Sequence, residues 1–445
     1  MKLWQKSYTL DQQIEAFTVG QDRELDAYLA PWDILGSLAH VQMLTKIGLI
    51  TEEELTQLQA ALRRLYKKAT EEGMTVESGM EDIHSQVEYM LTEELGDIGK
   101  KIHAGRSRND QVLVDLRLYF RSEIEEVSQL MGELFQTLLQ LAEQHKDILL
   151  PGYTHYQAAM PSSFGLWFSA YAESLVDDLR LWQGIYQTIN HNPLGSAAGY
   201  GASFPLDRRM TTELLGFEDL SYNVVHAQMG RGKSEQQLSY GIAGTAATLG
   251  KLAADVVLYV SQNFAFLSFP DELTTGSSIM PHKKNPDVFE LLRARCNSLQ
   301  ALPVQISQLT AGLPSGYHRD FQLLKEAIFP ALQQLKQCLS ILNYALPYAR
   351  PAGHLLKDER YRYLFSVEAV NQLVLEGKPF REAYQIVGGQ IANGTFEPPR
   401  EIRHTHEGSI GNLCLPKIRA KWERTAQGFP FEQVGEAIRQ LVQKG

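Results

Sequence analysis

The chain has 445 residues, of which 44% are hydrophobic and 21% charged, and its formal net charge is −10. This length allows two or three domains around a large buried core. The negative charge disfavours general binding to nucleic acid or to an anionic membrane, since both require an excess of Lys and Arg, but it leaves room for a local cationic pocket.

The start of the chain and its cysteines bear on the cellular compartment. Residues 1–6 lack the apolar core of a signal peptide, and no run of 18 apolar residues predicts a membrane span. The three cysteines, Cys296, Cys338 and Cys414, form neither a metal-ligand spacing nor a disulfide framework. We therefore expect a cytoplasmic protein that binds neither nucleic acid nor membrane.

In chain order, residues 1 to about 105 carry short helical patterns interrupted by Gly20, Pro31, Gly36 and Gly48. Five long patterns follow, in which apolar residues recur at steps of three and four, as they do on one face of a helix. They cover 108–146, 162–190, 233–264, 286–310 and 319–348. Shorter patterns return after residue 353. This order predicts an all-α protein with an N-terminal small helical domain (1–105), a central long-helix bundle (106–354) and a C-terminal small helical domain (355–445).

The central helices also predict a homo-oligomer. Their predicted lengths exceed the usual mean for globular proteins. The third is rich in glycine and alanine, which permit close approach of neighbouring helices. Helices of this length with apolar residues spread around them usually pack against other chains as well.

Residues 276–287 read Gly-Ser-Ser-Ile-Met-Pro-His-Lys-Lys-Asn-Pro-Asp and separate two predicted helices. The hydroxyls, ammonium groups and amide of this stretch could surround an anion. The alternative is an ordinary interhelical loop with solvated lysines, and composition alone favours it. The pattern Gly-Ser-Ser-x-Met-Pro-x-Lys-x-Asn, however, resembles the signature of the fumarase/aspartase superfamily, whose members eliminate a group beta to a carboxylate and usually release fumarate.

This resemblance implies a mobile loop that closes over the substrate. It implies that Ser277 is the base that removes a proton, and that Lys283 and Asn285 hold the substrate carboxylate. The fold it implies is the all-α, three-domain fumarase/aspartase fold, working without a metal or an organic cofactor. No metal-ligand motif such as His-Glu-x-x-His is present either.

Two further motifs narrow the resemblance to the argininosuccinate lyases. Residues 104–111, Ala-Gly-Arg-Ser-Arg-Asn-Asp-Gln, look like the hallmark of that family, and 152–157, Gly-Tyr-Thr-His-Tyr-Gln, are similar to its second conserved region. The first implies that Arg108 and Asn109 bind the succinate carboxylates at a helix start, where the dipole favours anions. The second implies that Thr154 binds substrate and that His155 is the catalytic histidine. We expect His155 to act as the acid, and the sequence leaves open which of His155 and Ser277 handles each proton. Without the motifs, Arg108 reads as a solvated first-turn arginine and His155 as a structural histidine.

The family pattern implies roles for further positions along the chain. Glu290 is expected to pair with the histidine. The remaining substrate-binding positions are Thr18, His84, Tyr317, Gln322 and Lys325.

Several positions depart from the family pattern. Residues 155–161 read His-Tyr-Gln-Ala-Ala-Met-Pro where the family commonly has His-Leu-Gln-Arg-Ala-Gln-Pro. Thr18 stands where a serine is expected, and His282 replaces a glutamine and is typical of adenylosuccinate lyases. These changes concern the lining of the pocket more than the reaction.

The resemblance implies cleavage of argininosuccinate into arginine and fumarate by a homotetramer whose composite active sites take segments from three subunits. The nearest alternative is another lyase of the superfamily, above all adenylosuccinate lyase. An alternative of another class is a non-catalytic, crystallin-like relative, and the presence of Ser277 and His155 argues against it.

Overall fold

The computed structural model describes residues 11–77, 79–353, 358–399, 402 and 404–443. Among these residues, the N-terminal part contains six α-helices: α1 (Gln12–Val19), α2 (Asp22–Asp26), α3 (Ala30–Lys46), α4 (Glu52–Glu71), α5 (Ile83–Leu95) and α6 (Asp97–Lys100). Polar caps fix several of these helix starts. Thr51 and Glu54 form a capping box at the start of α4, and Asp82 accepts a hydrogen bond from the Ser85 amide at the start of α5.

Long helices form the centre of the molecule: α7 (Arg108–Gln144), α8 (Phe164–Ile189), α10 (Val224–Val260), α11 (Asp287–Leu299), α12 (Leu302–Thr310) and α13 (Gln322–Ala345). A shorter helix, α9 (Arg208–Leu214), lies between α8 and α10. With 37 residues, α7 is about 55 Å long. The apolar stripe predicted for it is buried, from Leu116 to Leu141, against α8, α3 and α13. The all-α prediction is therefore confirmed.

The structure corrects two of the predicted helices. The pattern at 286–310 is two helices, because the chain breaks at Gln300–Ala301 before Pro303 in the first turn of α12. The third long helix begins at Val224, nine residues before the predicted start, and is interrupted at Arg231 and Gly232. Gly232 has φ 79°, and a β-carbon there would lie 2.7 Å from the Thr310 side chain. This position therefore favours glycine on two counts.

The strands are few and short: β1 (Leu149–Thr154), β2 (Gln157–Ser163), β3 (His191–Asn192), β4 (Asp219–Leu220), β5 (Leu267–Ser268) and β6 (Arg350–Pro351). β1 and β2 form an antiparallel hairpin between α7 and α8, in which Thr154 pairs with Gln157 and residues 155 and 156 make the turn. The helical patterns at 108–146 and 162–190 left this stretch between them unassigned, and the hairpin was not predicted.

The C-terminal part contains α14 (Ser366–Leu375), α15 (Phe380–Ala392), α16 (Leu415–Ala426) and α17 (Phe431–Gln443). α14 and α15 enclose a small apolar cluster of their own, whereas α16 packs on the bundle, where Trp422 stacks on Phe135 with 4.5 Å between ring centroids. The division of the chain at residues 105 and 354 stays a prediction.

One helix, α10, is long and apolar enough to cross a membrane by length and composition alone. Half of its most apolar stretch is buried, and it packs against α8, α11, α12 and α13. These contacts are those of a core helix in a bundle.

Candidate active site

A narrow cavity lies where the start of α7 meets α2, the start of α5 and the start of α13. We call it the Arg108 cavity. Its lining residues are mostly charged or polar: Asp22, Asp26, Glu81, Asp82, Arg108, Asn109, Val112, Arg231, Tyr317, Arg319, Gln322 and Lys325. Five chain segments that are distant in sequence thus meet at one place.

The start of α7 positions Arg108 and Asn109. Ser107 and Asp110 form a capping box, with the Asp110 carboxylate accepting from the Ser107 amide at 2.8 Å. The other oxygen of Asp110 accepts from the amides of Gly195 and Ala197, each at 2.9 Å, and so ties the 195–201 loop to this helix start. The Arg108 guanidinium lies 2.8 Å from Glu81 and 2.6 Å from Asp82. Two carboxylates therefore hold a cation at a helix terminus that itself favours anions.

On the opposite wall, the buried ammonium group of Lys325 forms ion pairs with both Asp22 and Asp26. These aspartates lie four residues apart, on one face of α2. Burial of Lys325 opposes its charge, but the two carboxylates more than offset this, and the pKa of Lys325 is raised. Gln322 donates its side-chain amide to the Val19 carbonyl at 2.8 Å.

Behind Asp82 lies a buried group of charges around His84. Its Nδ1 is 2.7 Å from Asp33 and 3.6 Å from Asp115. Although burial opposes a charged imidazole, the neighbouring carboxylates raise the pKa of His84 to about 10. The ligand atoms of Asp33, His84 and Asp115 lie close enough together to hold a cation. With the His84 Nδ1 at hydrogen-bond distance from Asp33, the three side chains form a buried charged cluster one layer behind the cavity lining.

The interruption in α10 delivers another arginine to the cavity. Arg231 leaves helical geometry, with ψ 137°, and its guanidinium lies 3.2 Å from Glu235 and donates to the Phe321 carbonyl at 2.8 Å. The kink thereby joins α10 to the segment that carries Tyr317 and Gln322.

The β1–β2 hairpin presents Thr154 and His155 to solvent at its tip. Both turn residues, His155 (φ 55°) and Tyr156 (φ 57°), adopt the left-handed conformation that a two-residue turn of this kind requires. Two consecutive non-glycine residues in this region are strained, and such strain is found most often at functional sites. The Tyr156 ring is 81% exposed.

The signature segment is a loop closed at its base. Thr275 and Asn285 form an antiparallel bridge with two backbone hydrogen bonds, of 3.1 and 2.8 Å. Within the loop, the Ser277 hydroxyl oxygen accepts from the backbone amides of Ile279 and Met280, at 3.3 and 3.1 Å. Donors aimed at this oxygen favour its negatively charged form. Lys283 is exposed, and the Asn285 side chain donates to the Gly276 carbonyl at 3.3 Å.

The predicted site residues therefore fall into two groups. One group lines the Arg108 cavity: Arg108, Asn109, Tyr317, Gln322 and Lys325. The other group lies on the hairpin tip, on the signature loop and on the following helix, away from the lining of this cavity: Thr154, His155, Ser277, Lys283, Asn285 and Glu290. Within one described chain, Glu290 is exposed on α11 and is not seen paired with His155.

Two further predicted residues lie outside both groups. The Thr18 hydroxyl donates to the Ile14 carbonyl at 2.8 Å inside α1, and the Thr18 carbonyl accepts from Arg319, which lines the cavity. His84 is buried with Asp33, one layer behind the lining. Their roles in substrate binding stay predictions. This geometry does not favour direct contact of either side chain with a substrate in the cavity.

Sequence reasoning did not single out Asp22, Asp26 or Arg319 as site residues. The aspartates had one available signal, the four-residue spacing that places both on one face of a helix. Their partner Lys325 is about 300 positions away in sequence, so the ion pair itself had no local signature.

A bundle of long helices, a charged cavity at the start of its first helix and a bridged Gly-Ser-Ser-x-Met-Pro loop define a helical lyase. The family model described as lyase matches residues 5–301. Solved structures share the fold: EDDS lyase in complex with formate (TM-score 0.74, 22% identity, 98% of this chain and 97% of that chain) and a class II fumarase from Schistosoma mansoni (TM-score 0.70, 16% identity, 97% and 95%).

Curated relatives are similar over nearly the whole chain. An argininosuccinate lyase of Parabacteroides distasonis is 57% identical and one of Bacteroides fragilis 56%, each over 99% of both chains. One of Stenotrophomonas maltophilia is 38% identical over 95% of this chain and 98% of the relative. The chain belongs to the argininosuccinate lyase family, and the family and fold predicted from its motifs are confirmed.

Proposed function

We propose that this chain is a carbon–nitrogen lyase that cleaves argininosuccinate into arginine and fumarate, a reaction of arginine biosynthesis. The observation that carries the proposal is the full-length identity of 57% to a curated argininosuccinate lyase. The intact motifs at 104–111, 152–157 and 276–285 support it, because they retain each residue type that the reaction needs. The nearest alternative assignment, adenylosuccinate lyase, is supported only by His282.

In the proposed reaction, Ser277 removes a proton from the carbon next to a carboxylate of the succinate half. The electron pair first places a second negative charge on that carboxylate, which is very unfavourable in water. The Lys283 ammonium, the Asn285 amide and the loop amides stabilise this charge as it forms. The electrons then form the carbon–carbon double bond of fumarate while the carbon–nitrogen bond breaks.

The leaving nitrogen belongs to a guanidinium group and needs a proton. We assign its delivery to His155, oriented by Glu290, directly or through a water molecule. Serine is a poor base at its ordinary pKa. The two amides that donate to the Ser277 oxygen support its role, because they lower the cost of forming the serinate.

Arg108 and Asn109 are assigned to the succinate carboxylates. Their place at the start of a 37-residue helix supports this, since the first-turn amides and the helix dipole favour anions there. Loop closure over the substrate would exclude water and strengthen these interactions. We infer no role for a metal ion or an organic cofactor.

We infer that the active protein is a cytoplasmic homotetramer with composite sites. The lining of the Arg108 cavity in one chain contains none of Ser277, His155 and Lys283, which supports completion of the site by other chains. Large apolar side chains are exposed along the bundle, and the set includes Leu181, Tyr240, Leu291, Val304, Leu323, Ile341 and Tyr344. A second copy of the chain would bury such faces.

The reaction is tested by incubating the purified protein with argininosuccinate and following fumarate by its ultraviolet absorbance. Adenylosuccinate and aspartate serve as parallel substrates. We expect fumarate from argininosuccinate alone. Fumarate from adenylosuccinate instead would keep the elimination and overturn the assigned substrate, and no fumarate from any of the three would overturn the enzyme proposal.

The composite site is tested by mixing two inactive variants, Ser277→Ala and His155→Ala, after dissociation and reassembly. If Ser277 and His155 of one site come from different chains, an equal mixture should restore about one quarter of wild-type activity, because each intact residue is present with a probability of one half. Dilution should abolish the tetramer and the activity together. A mixture as inactive as its components, or a fully active monomer, would contradict the composite site.

A further inference from the structure

A second cavity, of about 460 Å³, lies where the end of α8 and β4 meet α7 and the first turns of α10. We call it the Arg117 cavity. Arg117 follows Arg108 by nine residues on α7, which is about 13 Å along the helix axis. Most lining residues are polar: Arg117, Thr188, His191, Asp219, Leu220, Ser221, Tyr222, Asn223, His226, Gly230, Lys233, Ser234 and Gln237. None of them lines the Arg108 cavity, and a space of this size accepts a small molecule.

Arg117 is buried without a carboxylate partner. The residue is 5% exposed and forms no ion pair among the described residues, and its Nη1 donates to the carbonyls of His191 at 2.7 Å and Ile189 at 3.4 Å. Its Nη2 has no hydrogen-bond acceptor in the described part of the chain. This nitrogen lies beside Gly230, where an added β-carbon would be 2.8 Å away. Because Gly230 also lines the cavity, the unused donor is at the cavity wall.

Arg121, one helical turn further along α7, shows how the fold satisfies another buried guanidinium. Its Nη1 donates to the Asn190 side chain and to the Gly216 carbonyl, both at 3.0 Å, and its Nη2 donates to the Leu215 carbonyl at 2.8 Å. Arg121 therefore uses both terminal nitrogens and lies outside the lining of the cavity. Arg117 differs from it in the one donor that the cavity could supply with an acceptor.

Ser221 is a second buried polar group without a partner. It follows β4, lines the cavity and is 4% exposed, and its hydroxyl has no hydrogen-bond partner among the described residues. Buried polar groups in proteins are nearly always hydrogen-bonded, and each one left unpaired is costly. A hydroxyl can donate to an anion, so Ser221 and Arg117 both point to a ligand that accepts hydrogen bonds.

The charge of the lining agrees with an anionic ligand. Lys233 is exposed and forms no ion pair among the described residues, and Asp219 is the single carboxylate of this described lining. The Asp219 Oδ1 already accepts from the Leu220 amide at 2.8 Å and from the Tyr222 hydroxyl at 2.9 Å. An arginine and a lysine thus face one carboxylate, even with the two histidines of the lining uncharged.

We propose that the Arg117 cavity binds a small dianion of the phosphate type, with Arg117 and Lys233 as its cationic contacts. The donor fork of a guanidinium and the point charge of an ammonium both suit phosphate oxygens. The Ser221 hydroxyl adds a neutral donor. This inference goes beyond the lyase reaction and is independent of it, because no residue of the lining is assigned to that reaction.

The site adjoins the kink of α10. Gly230 and Lys233 lie on either side of Arg231 and Gly232, the two residues that leave helical geometry, and Arg231 lines the Arg108 cavity. An anion held between Arg117 and Lys233 therefore contacts the segment that follows the kink. Such a ligand favours the conformation to which it binds, which is the one that brings Arg231 to the Arg108 cavity.

Calorimetry on the full-length protein tests the site, with inorganic phosphate as the probe at physiological ionic strength. We expect the wild-type protein to bind phosphate and Lys233→Gln to bind it about 10- to 100-fold more weakly, as for loss of one charged hydrogen bond. Lys251→Gln changes an exposed lysine of the same helix outside the lining, and this matched control should bind phosphate like wild type. Glycerol 3-phosphate distinguishes the two sources of a phosphate group. Tighter binding than inorganic phosphate indicates a phosphate ester, and weaker binding indicates the free ion.

Two further variants decide where the probe binds. Arg117→Lys keeps the charge but removes the Nη2 donor, and should weaken binding several-fold in a protein whose fold is checked by circular dichroism. If that variant does not fold, Lys233→Gln decides. Arg108→Leu should leave phosphate binding unchanged, because Arg108 is outside the lining. Binding that is lost in Arg108→Leu and kept in Lys233→Gln would place the phosphate in the Arg108 cavity and overturn the site. Failure of the wild-type protein to bind either probe would overturn it as well.

Discussion

The Arg108 cavity differs from the two segments that carry the proposed acid and base. The difference is whether their polar side chains find bonding partners within the same chain. In the cavity, each arginine and lysine has a carboxylate partner or a backbone carbonyl within the same chain, and those carboxylates lie on α2, at the start of α5 and on α10. The hairpin tip and the signature loop are exposed, and Lys283, Thr154 and His155 face solvent. The Arg108 cavity is thus assembled by the fold of one chain, whereas the proposed acid and base lie on exposed segments.

This contrast has a physical reason. Burying an ion pair is costly unless its geometry is fixed, so the charged cavity needs the stiffness of packed helices. The proposed acid and base must instead reach a substrate that enters and leaves, which favours exposed segments that are held at their base. The bridge between Thr275 and Asn285 and the strained turn at residues 155 and 156 are such devices.

The largest expected effect is a loss of turnover caused by a substitution in the exposed signature loop. Ser277→Ala should lower kcat by about 10³-fold or more with little change in KM, because the change removes the base and leaves the carboxylate-binding groups in place. Steady-state kinetics with argininosuccinate measures this. Ser278→Ala is the matched control on the same loop, since no described hydrogen bond holds its hydroxyl, and it should keep most activity. Near-normal turnover of Ser277→Ala would remove Ser277 from the mechanism.

A substitution in the Arg108 cavity should change KM rather than kcat. Arg108→Leu should raise the KM for argininosuccinate by about 10- to 100-fold, because a charged hydrogen bond to the succinate carboxylates is lost. The variant also leaves Glu81 and Asp82 without this cation, so its fold is checked by circular dichroism. Arg180→Leu, which removes an exposed arginine on α8, is the control. An unchanged KM in a folded Arg108→Leu protein would mean that this arginine only stabilises the wall.

Much of this arrangement was accessible from the sequence because it is local. The apolar periodicity around Phe120 and Leu134 predicted α7, and the motifs at 104–111 and 276–285 predicted the family. The hairpin was missed because β1 contains a proline and a glycine, which interrupt any alternating pattern. The break between α11 and α12 was missed because the apolar spacing continues across it.

The cavity could be predicted only in part. Arg108 and Lys325 were named through their motifs, but the excess of carboxylates around Lys325 depends on how α2 docks against α13, a contact across about 300 residues. No periodicity or spacing in the sequence contains that information. The same holds for His84, whose place one layer behind the lining depends on the packing of α5 against α3.

The His84 cluster should make the stability of the folded chain depend on pH. The pKa of His84 is raised to about 10 in the folded chain against about 6.5 for an unfolded histidine, so the folded state holds the proton more tightly. Its stabilising contribution is complete below pH 6.5 and is lost as the pH rises towards 10, by about 1.4 kcal/mol per pH unit. His84→Gln should therefore flatten the alkaline decline of stability measured by urea unfolding between pH 6.5 and 10.

His40 provides the matched control for that experiment. It is equally buried, but burial and the nearby Arg106 lower its pKa well below 6.5, and its Nε2 lies 2.8 Å from the Ala104 carbonyl. Its neutral form stabilises the fold above pH 6.5, and this contribution is lost as the pH falls. His40→Gln should thus change the acidic side and preserve the alkaline decline. If His84→Gln and wild type decline equally above pH 6.5, the imidazolium cluster is not maintained in solution.

The smallest expected effect is a change in stability caused by substitutions at the turn of the β1–β2 hairpin. Tyr156 has φ 57°, a conformation that costs a non-glycine residue about 1 kcal/mol and glycine almost nothing. Tyr156→Gly should therefore be more stable than Tyr156→Ala by about this amount, and both variants lack the aromatic ring, so their difference isolates the backbone. Paired urea unfolding curves measure it. Equal stability of the two variants would mean that the turn relaxes from this conformation in solution.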